Sequence, residues 1–262
     1  MQQFLNICYF EEIQFGRQER NLVASERSLW PDGILYYDFS NEFNETQQKV
    51  VEGALEDLEQ CTCVRFERRS TQDTYIHLRN TRNGCASPVG FHPTSSGIDL
   101  FLSYPGCQRQ GTIQHEFLHA LGFWHEHTRP DRDNFVTVHW DNIAPGLESN
   151  FMKRPESEVQ YQQMPYDYDS VMHYRPMAFS KDHQSLTLEP RDATAVKRMG
   201  QRIRFSPVDL AKLNRLYNCS SPPYYRGNDL IVKPPEQQLP LYSICKKIKQ
   251  NQIRILKKPQ EF

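Results

Sequence analysis

No stretch of this sequence approaches the ~18–20 consecutive apolar residues that a bilayer-spanning helix requires, which excludes a helical membrane span. Net charge is also missing. Lys and Arg number 31 against 32 Asp and Glu, a formal net charge of −1, so no global field draws the chain to nucleic acid or to a lipid surface. No internal repeat is visible. The first ten residues hold an apolar patch (Phe4, Leu5, Ile7, Cys8, Tyr9, Phe10) interrupted by Asn6. It is too short and too poor in flanking charge to read as a signal peptide by itself, so either a leader is missing from this sequence or export uses another signal. Paired CxxC spacing is absent as well. The seven cysteines (Cys8, Cys61, Cys63, Cys85, Cys107, Cys219 and Cys245) are scattered. Cys61 and Cys63 sit two apart, on one face of any strand, which is poor for chelation. Such scattering fits a secreted disulfide framework better than a cytosolic metal site. The odd count leaves a thiol that is free or joined to another chain.

What is present is enough for a packed domain. The 262 residues are 38% hydrophobic and 12% aromatic, which suits one large domain or two closely packed lobes. Residues 1–20 are irregular and charged, ending in Arg17-Gln18-Glu19-Arg20, and read as a pro-segment remnant. From Asn41 to Gln60, Val50, Val51, Ala54, Leu55 and Leu58 recur at helical spacing, with Asn44 and Gln47 placed as a capping box. Strand-like runs cover Ile34–Phe39, Cys63–Phe66, Thr74–Leu78 and Ile98–Leu102, punctuated by Gly and Pro. A helical pattern runs from Gly111 to Leu121. Another opens at Ser206-Pro207, an N-cap followed by proline, and continues through Leu210, Leu213 and Leu216. A sheet with helices behind it is the expected core. From Ser220 the chain turns Pro-rich and basic: residues 221–262 carry eight Lys or Arg against three Asp or Glu. This reads as a solvated or disordered tail.

The chemistry lies in HEFLHALGFWH, His115 to His125. Residues four apart share a helix face, so His115 and His119 can offer imidazole nitrogens to one metal ion. Glu116 is offset around the helix, where it reaches a water on that ion rather than the ion itself. Gly122 ends the helix because glycine adopts a left-handed conformation at no steric cost. The chain then turns back, and His125 supplies a third nitrogen. Three protein ligands leave a position open for water, the mark of catalytic rather than structural zinc. Packing alone requires no such combination of Glu116, Gly122 and His125. Downstream, Ser170-Val171-Met172-His173-Tyr174 supplies a methionine turn, with Met172 as a hydrophobic floor beneath the imidazoles.

HEFLHALGFWHEHTRPDRDNF followed by SVMHY resembles the astacin family of metzincin peptidases. The resemblance runs from about Asn21 to Cys219 and includes Leu29-Trp30, Cys63–Phe66 and Leu213–Cys219. The last stretch, with Gly200-Gln201-Arg202, is most similar to the meprin and hatching-enzyme branches. It implies an α+β, two-lobed catalytic domain over residues 21–219, with a mixed twisted sheet, long helices and one zinc ion in the cleft between lobes. The implied reaction is endopeptidase hydrolysis of protein or peptide substrates by metal-activated water, with Glu116 as general base. The resemblance makes Tyr174 a further zinc contact that swings aside to steady the transition state, and it pairs Cys63 with Cys219 and Cys85 with Cys107. It also implies secretion, and activation by a trypsin-like protease cutting after Arg20, so that Asn21 becomes the new amino terminus in contact with Glu126. A salt bridge from Glu126 to Arg129 or Arg132 is the structural alternative. The sequence departs from the family in one respect: where family pro-segments resemble Phe-x-Gly-Asp, Phe10-Glu11-Glu12-Ile13 stands here. Cys61 has Cys8 or Cys245 as candidate partners.

An extended substrate is expected along an edge strand near Ser96–Leu102, with Arg191, Arg198 or Arg202 lining the primed side. The competing class is a catalytically silent extracellular binding module that keeps the fold. His77, His92, His127, His139 and His183 lack ligand spacing and read as packing or surface residues, and His173 is not read as a ligand.

Overall fold

The structure, a computed structural model, describes residues 26–81, 84–155, 164–219, 224–226 and 229–231. The expected pro-segment, Asn21, Cys8, Cys245 and most of the C-terminal tail lie outside the described residues.

Alternating burial builds the first lobe. Strand β1 (Ile34–Phe39) puts Leu35 and Tyr37 inward, and β3 (Ile76–Arg79) does the same with Ile76 and Leu78. Helix α1 (Glu45–Cys61) begins at the predicted capping box: Asn44 accepts from the Gln47 N–H at 2.9 Å, and Gln47 Oε1 accepts from the Asn44 N–H at 3.0 Å. Val51, Ala54, Leu55 and Leu58 are buried against the sheet, each Leu contributing about 2 kcal/mol by area removed from water. Val50, expected in that stripe, is instead 42% exposed. It lies one residue, about 100°, around the helix from Val51.

The chain returns into β2 (Arg65–Arg68), which pairs parallel to β1, the crossover that parallel strands require. This strand starts two residues later than expected. Thr62 Oγ1 donates to the Leu58 carbonyl at 2.8 Å, closing α1, and Cys63 is bonded to Cys219, so Cys63 and Val64 belong to the corner. With β4 (Cys85–Ala86) and β5 (Ile98–Leu102) the sheet order is β2-β1-β3-β5-β4, parallel except for β4. The outermost strand is therefore β4, which covers only the end of the expected edge near Ser96–Leu102, while residues 98–100 pair with β3 alone among the described strands. Being only two residues long, β4 pairs with Phe101 and Leu102 alone. A second disulfide, Cys85–Cys107, ties it to the loop that enters helix α2 (Gln110–Ala120).

Past α2 the chain builds a second lobe from short 3-10 turns and a strand pair, β6 (Val136–Val138) with β7 (Leu188–Pro190). Its core gathers Val136, Phe151, Tyr166, Tyr174 and Leu188. Helix α3 (Pro207–Leu216) then packs Leu210, Leu213 and Leu216 back into the first core, next to Val171 and Met172. The methionine turn therefore straddles the two cores, with Met172 in one and Tyr174 in the other. Within the tail, β8 (Tyr224–Arg226) pairs antiparallel with β9 (Asp229–Ile231).

Gly111, in the first turn of α2, allows the backbone at 202–203 to cross against the helix. A Cβ at that position would lie 2.2 Å from the Arg202 carbonyl oxygen and 2.7 Å from the Ile203 carbonyl carbon. Backbone cannot rotate aside as a side chain can. Gly111→Ala should destabilise the protein by about 1–3 kcal/mol and lower Tm by several degrees. An unchanged melt would mean that the 202–203 segment does not press on α2.

Candidate metal centre

Helix α2 carries His115, Glu116 and His119 into the interior, at 1%, 1% and 6% exposure. It ends as glycine permits. Gly122 has φ +107°, its N–H donates to the His119 carbonyl at 2.8 Å, and the Phe123 N–H reaches back to the Leu118 carbonyl at 2.9 Å. That turn delivers His125, 7% exposed, to the same point. The Nε2 atom of His119 lies 3.2 Å from that of His115 and 3.2 Å from that of His125. All three candidate ligand atoms lie within 4.8 Å of one another.

Tautomers decide what this convergence means. His115 Nδ1 faces the Val171 carbonyl at 2.7 Å, and His119 Nδ1 faces the Phe123 carbonyl at 2.6 Å. A carbonyl only accepts, so both Nδ1 atoms carry the proton and both Nε2 atoms present unprotonated lone pairs. Two lone pairs 3.2 Å apart repel unless a cation sits between them. Tetrahedral ligands at about 2.05 Å from zinc lie ~3.3–3.4 Å apart, close to the spacing found. The donor set, all imidazole in a buried site, suits zinc. The residues fit the metal.

The methionine turn supports the site from below. Besides the Val171 carbonyl that holds His115, the Met172 carbonyl accepts from the Glu126 N–H at 3.0 Å. The turn is itself clamped by Asp209 of α3, which accepts from Ser170 Oγ at 2.6 Å and from the Val171 N–H at 2.9 Å. Asp209 is also the N3 residue of the α3 capping box with Ser206. Ser206-Pro207 signals the helix start in the sequence, and a carboxylate three residues past a Ser cap is the available signal for Asp209. Gln114, which the sequence does not single out, spans α1 and the segment before α3: its Nε2 donates to the Ala54 carbonyl at 3.3 Å and its Oε1 accepts from the Phe205 N–H at 3.1 Å.

Tyr174 is 4% exposed, its ring 4.4 Å from the His125 ring and 4.0 Å from that of His127, on which it stacks. His127 is a packing residue. Burial pushes its pKa well below the usual histidine value, with His125 and His173 adding to the effect, and it is held through Nε2 to the Asn150 carbonyl at 3.0 Å. His173 donates from Nδ1 to the Tyr174 carbonyl at 2.7 Å and accepts from the Tyr166 hydroxyl at 2.8 Å. Burial holds its pKa down to about 4. His77 and His139 pair instead with Asp38 and Glu189, at 2.5 and 2.8 Å.

Glu126, directly after His125, is buried with charged partners. Oε1 accepts from Arg129 Nη1 at 3.1 Å and from the Asp167 N–H at 3.0 Å, and Oε2 accepts from Lys212 Nζ at 2.6 Å. Burial alone raises its pKa, but Lys212 and Arg129 outweigh burial and hold it at about 2. Arg129 is thus a partner, as the structural alternative held. Arg132 is not: it donates to the His127 and Phe151 carbonyls. Nearby Asp167 is pushed upward by burial and by the neighbouring carboxylate of Asp209. Of the three arginines named for the primed side, Arg191 donates to the Asp133 carbonyl and Arg198 pairs with Asp169 and Asp192. Arg202 alone reaches the methionine turn, at the His173 carbonyl, 3.1 Å away.

Cys63–Cys219 joins the start of β2 to the end of α3, with a Cα–Cα distance of 5.3 Å; that of Cys85–Cys107 is 5.6 Å. Cys61 is also disulfide-bonded, and both cysteines left to it by these pairings lie outside the described residues.

Three imidazoles at the seam of two lobes in an α+β domain, backed by a methionine turn, make up the metzincin arrangement. Within that class, residues 22–218 match the model of the astacin peptidase family, and the chain belongs to this family. It is 40% identical over 201 residues to zinc metalloproteinase nas-14 of Caenorhabditis elegans, covering 76% of this chain and 39% of that protein. Zinc metalloproteinase dpy-31 of Brugia malayi is 41% identical over 217 residues, covering 81% of this chain and 36% of that protein. The chain thus spans less than half the length of these two curated relatives. Among solved structures, high choriolytic enzyme 1, a hatching enzyme zinc-protease of the medaka fish Oryzias latipes, is similar at 32% identity and a TM-score of 0.66. The alignment covers 84% of this chain and 98% of that one.

Proposed function

We propose that the chain is an extracellular zinc endopeptidase, with residues 21–219 as its catalytic domain. Residues 1–20 serve as the pro-segment, removed by a trypsin-like cut after Arg20, and 220–262 form a tail. The Cys63–Cys219 and Cys85–Cys107 bridges and the bonded Cys61, none of them in a CxxC motif, support an oxidising compartment. Among the described residues no helix is long and apolar enough to cross a membrane.

The observation that carries the reading is the pair of unprotonated Nε2 atoms of His115 and His119 converging with His125 beside buried Glu116. His115, His119 and His125 hold the zinc, which when bound lowers the pKa of a water from about 15.7 towards 7 and polarises the scissile carbonyl. The Glu116 carboxylate takes the proton from the attacking water and delivers it to the leaving amine nitrogen. The Tyr174 hydroxyl donates to the developing oxyanion, a contribution of roughly 10²–10³ in rate. An extended peptide lies along the β4–β5 edge, and Arg202 faces its primed side.

Loaded with one zinc per chain, the protein should cut casein at internal bonds. A peptide library should show an acidic preference on the primed side that Arg202→Ala removes. Full zinc occupancy without cleavage of either substrate would leave a metal-binding module and sink the peptidase reading.

A further inference from the structure

We propose that Lys212 is the resident counter-ion of Glu126 and positions the third metal ligand, so that metal binding does not depend on a free amino terminus. This deepens the reading above and rests on it only for the identity of the metal.

The three histidines are not held equally. His115 and His119 are fixed by α2 and by carbonyls that receive their Nδ1 protons. His125 follows the Gly122 turn and lies outside the helix. Its ring packs on Tyr174 and its carbonyl accepts from the Thr128 N–H and hydroxyl, and the residue after it ties this strap to the rest of the fold. Glu126 secures that strap twice, through its N–H to the Met172 carbonyl and through its buried carboxylate.

The carboxylate has two cationic partners, and they are unequal. Arg129 divides its guanidinium among Glu126, both Asp131 oxygens and the Met164 and Pro165 carbonyls. It comes from the same loop, three residues on, so its pair with Glu126 is local, and its links beyond the loop go to the Met164 and Pro165 carbonyls of an irregular segment. Lys212 makes one ion pair among the described residues, at 2.6 Å, with Glu126 Oε2. It sits on α3, 86 residues away in sequence. That helix is fixed at one end by the Ser206–Asp209 box and just past the other by the Cys63–Cys219 bond. The Lys212–Glu126 pair is therefore a strut from a braced helix to the ligand that lacks a helix of its own. The family resemblance gives Glu126 to a newly cut amino terminus. Here a side chain within the domain already supplies a cation to that carboxylate.

The test is zinc affinity by chelator competition on the full chain, intact and after proteolytic removal of residues 1–20. Lys212→Met should weaken zinc binding about 10–100-fold, the usual effect of removing a group that orients a ligand, in both forms. Lys212→Arg should restore it to within a few fold, since an arginine keeps the charge and the donor. Intact and processed wild type should agree within about 3-fold. The double variant Glu126→Gln/Lys212→Met removes the uncompensated charge but not the lost tether. Its melting temperature without metal should recover while its zinc affinity stays low. The proposal is overturned if Lys212→Met or the double variant binds zinc as tightly as wild type. It is equally overturned if intact wild type binds as weakly as Lys212→Met, which would make the terminus the counter-ion. Neither outcome bears on cleavage, so failure here is distinct from failure of the peptidase assignment.

Discussion

Replacing Glu116 by glutamine should lower kcat/KM on a peptide substrate by about 10²–10⁴, with zinc content unchanged. The two outcomes separate because the residue is next to a ligand without being one. The metal-directed atoms are three imidazole nitrogens, and glutamine leaves them as they are. It also preserves the shape of the side chain in a site where Glu116 is only 1% exposed, so no cavity forms. What it removes is the ability to accept a proton from water and pass it on. The loss corresponds to about 3–5.5 kcal/mol of transition-state stabilisation. That combination of lower rate and equal zinc is the signature of a catalytic base. A zinc-replete variant that hydrolyses casein at the wild-type rate would show that the proton goes elsewhere.

The parts of this molecule legible in the sequence are those whose causes are local. The Asn44–Gln47 box spans three residues and the His115–His119 pair four, and Gly122 marks its turn by needing no Cβ. Each can be read without knowing what lies across the core. The departures share the opposite property. β2 starts two residues later than its composition suggests, because Cys63 looks like a strand residue until Cys219, 156 positions on, pulls it into the corner. β4 is two residues long and exists only because β5 offers it an edge. The supports of the zinc site are of the same kind. Asp209 reaches Ser170 across 39 positions and Lys212 reaches Glu126 across 86. Periodicity cannot show such pairs, because both ends look like ordinary polar helix or loop residues until the chain has closed. The ligands are therefore readable and the scaffold that aims them is not.

Stripping the metal should be the most visible single perturbation of stability, and the reason lies in the same tautomers that qualify the site. With Nδ1 protons committed to the Val171 and Phe123 carbonyls, His115 and His119 have no neutral rearrangement that removes the clash of Nε2 lone pairs at 3.2 Å without breaking one of those bonds. The rings are buried, so water cannot relieve the clash cheaply either. Zinc at about 10³ times its dissociation constant stabilises the folded state by about 4 kcal/mol. For a domain of roughly 200 residues that is about 8–16 °C in Tm. A chelator should lower the melt by that amount, and readdition of zinc should restore it. His119→Ala should abolish the shift altogether, because His119 holds the middle position, 3.2 Å from each of the other two nitrogens. If the chelated protein melts where the zinc-loaded one does, the three imidazoles are a packed cluster whose lone pairs are satisfied by something other than a metal.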